Sequence, residues 1–287
     1  MKKPLIEKLA IIGVGLMGGS LAMVLKQKGE VGEVVGMGRG LENLEKAMSL
    51  GIVDSYTQDL EKGVKGADVV VVATPVCSIA KVISKVQAHM KDGAIITDVG
   101  SVKGEIVREV EKILDDRLHF VGGHPIAGTE QSGAQAAFPS LYKGSRCIIT
   151  PSDRTDEKAL DRIKEMWQLA EAEVVVMDVD GHDKILAAIS HLPHLVAYAL
   201  VNTVDGIKDF NGSILKYSAG GFKDFTRIAS SSPEMWRDIC VMNRSAIIDM
   251  TDRYMVELGK IKTAMENNDF DSLFESFKKS KEARDSL

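Results

Sequence analysis

Cysteine is scarce in this chain. Its 287 residues hold three, Cys77, Cys147 and Cys240, far apart in sequence. None has a metal-type spacing, so no metal site is expected, and an odd set of isolated thiols does not build a disulfide framework. Such usage suits a reducing cytoplasm and small core residues. Basic excess is lacking too. Lys and Arg number 36 against 41 Asp and Glu, a net charge of −5, which leaves no footprint for nucleic acid. No run of eighteen apolar residues exists, so nothing is expected to span a membrane. The start, Met1-Lys2-Lys3-Pro4-Leu5-Ile6-Glu7, is charged and lacks the apolar core of a signal peptide. Internal repeats and low-complexity tracts are absent as well. What remains is 45% hydrophobic and 27% charged, ordinary for a globular protein, and long enough for two modest domains.

The richest stretch is Leu9-Ala10-Ile11-Ile12-Gly13-Val14-Gly15-Leu16-Met17-Gly18-Gly19-Ser20. An apolar run ends in Gly-x-Gly-x-x-Gly and a helical pattern follows at once. Gly13 permits a tight turn, Gly15 lets a phosphate approach the backbone, and Gly18 lets helix and strand pack closely. The free N–H groups of the first helical turn, around Leu16 and Met17, then face the anion. The pattern points to a bound dinucleotide; its rival is a glycine-rich turn without ligand.

The second strand, Glu33–Met37, ends in Gly38-Arg39-Gly40. NAD-specific sites place an acid at this strand end to bind both ribose hydroxyls. Here the place holds Gly38, which leaves room for a 2′-phosphate, and Arg39 is suited to pair with it. NADP is therefore expected over NAD. Otherwise Arg39 is a solvated loop cation.

Further along, strand and helix alternate. Val69–Pro75, Ala94–Val99, Phe120–His124, Cys147–Thr150 and Val174–Met177 read as strands. Ile79–Met90, Gly104–Leu114 and about Asp156–Ala170 read as helices. The alternation predicts an α/β, Rossmann-type, mostly parallel sheet over residues 1–179. Ligands of such sheets sit beyond the strands' carboxyl ends, so Thr74, Asp98, Ser101 and His124 should face one crevice. Beyond about Asp180 strand-like runs vanish. Helical patterns at His182–Val204, Pro233–Leu258 and Phe270–Arg284 predict an all-helical domain, 180–287, whose broad apolar faces suit a homodimer.

Several residues carry chemistry at these places. His124 leaves a buried strand in a Gly-rich segment, where an imidazole can take a proton from a substrate hydroxyl or serve as a structural residue. Ser101 is a candidate partner of that hydroxyl and also a candidate N-cap for a helix starting near Val102. His191 and His194 share a helix face around Pro193, which should kink the helix and free a carbonyl near Ile189. That bend is a candidate anion site. Arg227 can grip a carboxylate or pair with Asp224. Arg237 beside Asp238 reads as structural. Asp183 can favour an ammonium substrate or stand as a helix N-terminal acid.

Together these blocks resemble the prephenate/arogenate dehydrogenase family of tyrosine biosynthesis. The matching segments are Gly13–Ser20, Asp98-Val99-Gly100-Ser101-Val102-Lys103, Gly123-His124-Pro125-Ile126-Ala127-Gly128-Thr129-Glu130, His191-Leu192-Pro193-His194, Thr226-Arg227-Ile228-Ala229 and Met235-Trp236-Arg237-Asp238. The resemblance implies a nucleotide-binding domain followed by a helical dimerisation domain. It implies oxidative decarboxylation of a cyclohexadienol acid, with hydride passing to a nicotinamide. On this chain it makes His124 the catalytic histidine and Ser101 its partner at the ring hydroxyl. Arg227 becomes the ring-carboxylate ligand and His194 a second substrate histidine. Thr129 belongs to the same substrate-side block, and Glu130 and Asp224 resemble acids that gate access. Gly13, Gly15, Leu16, Met17, Gly18, Gly38, Arg39 and Thr74 fall to the cofactor. The Gly38-Arg39 pair departs from NAD-using members and resembles NADP-using ones. Additional mutase or regulatory domains are not expected. The cradle alone would also suit another two-domain dehydrogenase, of the hydroxyisobutyrate or pyrroline-carboxylate type, or an NADP(H)-sensing module.

Overall fold

A computed structural model describes residues 3–129, 131–207 and 214–287. Its first part alternates as the hydrophobic pattern requires. The order is β1 (Ile6–Ile12), α1 (Leu16–Gln27), β2 (Val31–Met37), α2 (Leu41–Ser49), β3 (Ser55–Thr57), α3 (Leu60–Gly63), β4 (Val69–Val72), α4 (Ile79–Val86), β5 (Ile95–Asp98), α5 (Gly104–Ile113), β6 (His119–Pro125), β7 (Arg146–Thr150), α6 (Glu157–Leu169) and β8 (Glu173–Val176). The eight strands form one sheet in the order β3-β2-β1-β4-β5-β6-β7-β8. All neighbours are parallel except β6 and β7, which pair antiparallel with His124 opposite Ile148. Order reverses beside β1, so the crevice of such a sheet opens past β1 and β4.

Both faces of the sheet are buried. Val69, Val70, Val71 and Val72 are all inaccessible, as a central parallel strand covered on two sides must be. Leu9 and Ile11 belong to the core under α1 and α6, while Ala10 and Ile12 belong to the core under α4 and α5. Cys147 is buried in the first of these, as its apolar segment suggests. Cys77, by contrast, is exposed, because its turn leaves β4 at the rim of the sheet. The short β3 and α3 were not foreseen, since three or four residues carry too little periodicity to register, and the nine-residue α2 was missed as well.

Everything described after β8 is helical: α7 (Val179–Leu186), α8 (Leu192–Asp205), α9 (Gly220–Thr226), α10 (Pro233–Met242), α11 (Arg244–Glu266) and α12 (Phe270–Asp285). The pattern expected as one helix from Pro233 to Leu258 breaks at Asn243, whose backbone leaves the helical region. Its side chain is consumed elsewhere, as the site below explains. Just before Pro193, where a kink was expected, the helix departs from regular α geometry. Residues Ala187–His191 adopt π-helical geometry between α7 and α8, with Leu192 N–H donating to the Ala187 carbonyl. One widened turn accommodates the missing proline N–H, and the ring N–H of His194 donates to the Ser190 carbonyl at 2.9 Å.

By length and composition alone, Val179–Asp205 is apolar enough to cross a membrane, with mean hydropathy 1.5 in its best window. Yet its first turns carry His182 and Asp183, both buried against α5 and β6. Large apolar side chains stand exposed along the helical part, including Ile189, Val241, Met255, Phe270, Phe274 and Phe277.

Candidate active site

The glycine turn can be tested atom by atom. Gly13 has φ +101°, and a Cβ there would collide with the Ala73 carbonyl, its carbon 2.8 Å away. A Cβ at Gly18 would sit 2.6 Å from Ile11 Cγ2, so this glycine sets the contact of α1 with β1. Gly15 differs from both: a Cβ would meet only Gly133 N, at 4.0 Å, and otherwise open space. Gly15 also stands at the N-terminus of α1, where no side chain caps the first turn and no acid precedes it. The amides of Leu16, Met17 and Gly18 are left for an anion. These residues fit a dinucleotide pyrophosphate. Thr74 lies beside Gly13 at the end of β4, and the Ser78 hydroxyl donates to its Oγ1 at 3.0 Å. Gly38 follows β2, and a Cβ there would find Leu44 no nearer than 3.7 Å. The Arg39 side chain is exposed, while its carbonyl accepts from Gln58 Nε2.

At the end of β6, His124 is almost fully buried, and its Nδ1 lies 2.8 Å from His182 Nε2. His182 Nδ1 in turn lies 2.8 Å from Asp183 Oδ1. The carboxylate can only accept, so His182 carries its proton on Nδ1. His182 Nε2 is then a bare lone pair, and His124 must donate to it from Nδ1. His124 Nε2 is thereby left unprotonated, an acceptor. A carboxylate thus sets the tautomer of a second ring through a first, extending the logic of acid–base triads by one imidazole. Burial and the neighbouring His182, Lys103 and His191 hold the His124 pKa well below 6.5. Burial lowers that of His182 as well, against the pull of Asp183.

Asp183 does more than orient His182. Its Oδ1 and Oδ2 accept from the backbone N–H groups of Lys103 and Gly104, each at 2.8 Å. The N-terminus of α5 is therefore capped from the helical domain. Two sequence expectations fall with this. Ser101 is not the N-cap, because α5 starts at Gly104 and takes its cap from α7. Nor is Asp183 available to a substrate ammonium, because backbone amides and a buried imidazole already take its oxygens. Its pKa lies below the usual carboxylate value, with these hydrogen bonds outweighing desolvation.

Beneath this chain, Lys103 is fully buried. Its ammonium pairs with Asp98 Oδ2 and donates to the Gly123 carbonyl at 2.9 Å. Asp98 also accepts from Gly100 N at 2.8 Å and Gly123 N at 3.2 Å. A buried charge pair with further hydrogen bonds of this kind fixes geometry more than it adds stability. It ties the end of β5 to the residue preceding His124. Ser101 lies on the loop so held, partly exposed, its hydroxyl making no hydrogen bond among the described residues.

The π-helical bend brings in the rest. His191 is buried and neutral, its pKa lowered to about 4 chiefly by burial. Asn243, where α10 breaks from α11, donates from Nδ2 to the Asp183 carbonyl at 2.8 Å and lies 3.2 Å from His191 Nδ1. The Ser101 backbone faces the His191 ring and pulls its pKa the other way. His194 stacks on Trp236 with ring centroids 3.8 Å apart. Its Nδ1–H is spent on Ser190, so Nε2 is an acceptor. Burial lowers the pKa of both imidazoles at this turn toward the neutral form. Arg227 lies near enough to His194 to lower its pKa further. Tyr198 donates to the Ser231 carbonyl at 2.7 Å and pins the turn that follows Arg227. Asp224 stands exposed on α9 and makes no ion pair among the described residues. Arg237 pairs with Asp238 at 2.6 Å, the structural role its position suggests. Thr129 is exposed after β6 and accepts from Gln131 N at 3.2 Å. Glu130 lies outside the described residues.

His124 is within electrostatic reach of His191, His191 of the Ser101 backbone and His194, and His194 of Arg227. Sequence reasoning missed His182 as a partner of His124, and it missed Lys103 and Asn243. The first was hidden by a separation of 58 positions along the chain. A lysine immediately after a serine turn, with a buried aspartate five residues earlier, was the only hint of the second.

A glycine cradle at the switch point of a parallel sheet, joined to an orienting histidine chain, defines a nicotinamide-dinucleotide dehydrogenase with a helical second domain. Comparison with known proteins narrows this. The family model for the prephenate dehydrogenase nucleotide-binding domain matches residues 21–176, and that for the prephenate dehydrogenase dimerization domain matches 178–279. The chain belongs to the prephenate dehydrogenase family. Prephenate dehydrogenase of Bacillus subtilis is 37% identical over 98% of this chain and 76% of its own length. The crystal structure of the Aquifex aeolicus prephenate dehydrogenase, in complex with hydroxyphenyl propionate and NAD+, superposes with TM-score 0.91 at 38% identity over 97% of each chain. Synechocystis arogenate dehydrogenase superposes with TM-score 0.83 at 30% identity, over 97% of this chain and 99% of that one.

Proposed function

We propose that this protein oxidatively decarboxylates prephenate, arogenate or both, with NADP as the preferred hydride acceptor. The observation that carries the reading is the Asp183–His182–His124 chain, which leaves one buried imidazole nitrogen as an acceptor at the carboxyl edge of the sheet. A bound nicotinamide supplies the hydride acceptor. His124 Nε2 takes the hydroxyl proton as hydride leaves the ring carbon that bears the oxygen. The imidazolium so formed is stabilised through His182 by the Asp183 carboxylate. Carbon dioxide departs from the opposite ring carbon, and the electron pair of the broken bond enters the ring, which becomes aromatic. The same imidazolium returns the proton to the phenolic oxygen. Aromatisation supplies the driving force, so the protein chiefly positions the ring and moves one proton. Ser101 orients the hydroxyl, and Arg227 binds the ring carboxylate in a charge-assisted pair. His194 and Thr129 line the substrate, with Asp224 and Glu130 at its entrance. Residues 1–179 serve the dinucleotide, and 180–287 complete the substrate site and join two copies through the exposed apolar faces.

The NADP preference rests on the open space at Gly38 and the exposed Arg39 side chain. Losing one charge-assisted pair costs about 1.5–3 kcal/mol, so Arg39→Ala should lower kcat/KM for NADP roughly 10- to 150-fold and leave NAD nearly unchanged. Turnover followed by absorbance of the reduced nicotinamide, with each substrate and each cofactor, tests the whole reading. Activity with prephenate or arogenate is expected. A folded, dinucleotide-binding sample inert toward both would overturn the reaction, and a clear NAD preference would overturn the cofactor.

A further inference from the structure

The connection from β6 to β7 leaves the catalytic end of β6 and returns across the dinucleotide cradle. It is tied there at three points. Ala134 N donates to Asn43 Oδ1 at 2.8 Å, Phe138 N to Ser20 Oγ at 3.0 Å, and the Tyr142 hydroxyl to the Met17 carbonyl at 2.6 Å. Contact is close between these ties: a Cβ at Gly19 would sit 2.9 Å from Ala137 Cβ. Gly133 lies over the space that Gly15 leaves empty, its nitrogen 4.0 Å from where a Gly15 Cβ would be. A pyrophosphate approaching Gly15 therefore meets this strap as well as the turn.

Among the described residues, Asn43 is the one whose side chain bonds both the glycine turn and the strap. It lies in the first turn of α2, the helix that follows Gly38, Arg39 and Gly40. Its Nδ2 donates to the Val14 carbonyl at 2.7 Å, inside the glycine turn, while its Oδ1 holds the strap. One carboxamide thus spans the turn that receives phosphate and the strap whose other end carries Thr129. Gly133 has φ +85°, and a Cβ there would come 3.3 Å from Asn43 Oδ1, so the strap is shaped to the amide.

We propose that Asn43 is a positioning residue that couples the two ligands, so that dinucleotide in the cradle raises affinity for the aromatic acid. This rests on the functional reading above. The mechanism is shared ordering: phosphate fixes the turn, Asn43 transmits that to the strap, and the second ligand no longer bears the ordering cost. By linkage the effect is reciprocal in binding.

The test measures NADP affinity of the purified full-length protein by calorimetry, with and without saturating 4-hydroxyphenylpropionate. Wild type should show a coupling factor of about 5 or more, the lower end for coupled sites. Asn43→Ala, which cuts both ties, and Asn43→Asp, which keeps the acceptor for Ala134 but loses the donor to Val14, should both bring the factor below about 2. Should the alanine variant fail to fold, the aspartate variant decides. Ser20→Ala cuts one of the strap's two ties to α1 instead and should keep the factor. A purely structural role for Asn43 would lower Tm and both affinities while leaving the factor intact, and that overturns the proposal. So does an uncoupled wild type, or a factor lost equally in Ser20→Ala. If 4-hydroxyphenylpropionate does not bind wild type at all, the functional reading fails and this inference with it. If it binds and the factor survives in a folded Asn43 variant, only the inference fails.

Discussion

Replacing His182 with leucine tests the tautomer argument without touching the imidazole that would do the chemistry. In the native site the His124 Nδ1–H donates to His182 Nε2 over 2.8 Å, and His124 is only 8% exposed. Leucine offers no acceptor, so that N–H is left buried and unpaired, at a cost of about 1–3 kcal/mol. The ring relieves this by moving its proton to Nε2, which turns the substrate-facing atom from acceptor to donor. The useful tautomer is then disfavoured by the same amount, roughly 5- to 150-fold in population. We expect kcat for prephenate at saturating dinucleotide to fall by about that factor, with KM changed less. This is milder than His124→Asn, which removes the base and should cost about 10²–10⁴. His182→Gln, whose carbonyl can accept at the position of Nε2, should recover much of the loss. The pH profile adds a second readout. One extra proton on the His124–His182 pair makes His124 Nε2 a donor, and both pKa values are lowered below 6.5. The wild-type acid limb should therefore lie below pH 6.5 and belong to the pair rather than to either ring. A folded His182→Leu protein with wild-type kcat and an unmoved acid limb would refute the reasoning.

The other predictions concern stability and the cradle. His124, His182, His191 and His194 all have lowered pKa values, first because of burial, with His191 at about 4. Below pH 6.5 the unfolded chain takes up protons that the folded chain refuses, so stability is full above 6.5 and falls as pH drops toward 4. His191 alone should remove on the order of 2 kcal/mol between pH 7.5 and 5, readable by urea unfolding, and equal stability at both would contradict its buried neutral state. Asp183 acts in the lower window, below about 3.8, where protonation removes its hydrogen bonds. In the cradle, Gly13→Ala should lower Tm markedly, because its Cβ meets the Ala73 carbonyl at positive φ. Gly15→Ala should leave Tm within a few degrees and weaken NADP about tenfold or more, because its Cβ fills only the phosphate's space. Equal effects of the two on Tm would remove the distinction drawn between them.

The parts of the site that were legible in the sequence share a local cause. The cradle is a strand, a turn and a helix in direct succession, so glycine spacing alone shows it. Pro193 announces a break in the regular helix because its ring removes a backbone donor from a continuous helical pattern. What stayed hidden was which partner each polar residue finds. Ser101 is a good N-cap by type, but a carboxylate 80 residues away takes the amide of Lys103. Asp183 is a good ammonium ligand by charge, but folding spends both its oxygens. The antiparallel β6–β7 pair was equally hidden, because strand direction depends on where the connecting strap runs, and periodicity does not record it.

The sequence by itself therefore determined the class of cofactor, the sheet, the helical second half and the resemblance that names the chemistry. Each depends on neighbours along the chain. Tertiary structure decided the protonation geometry: that His124 donates inward to His182, that Asp183 caps α5 while orienting that ring, and that Asn43 bridges cradle and strap. Each needs a donor and an acceptor from distant segments brought within 3 Å, and a hydrogen bond's direction exists only once both ends are in place.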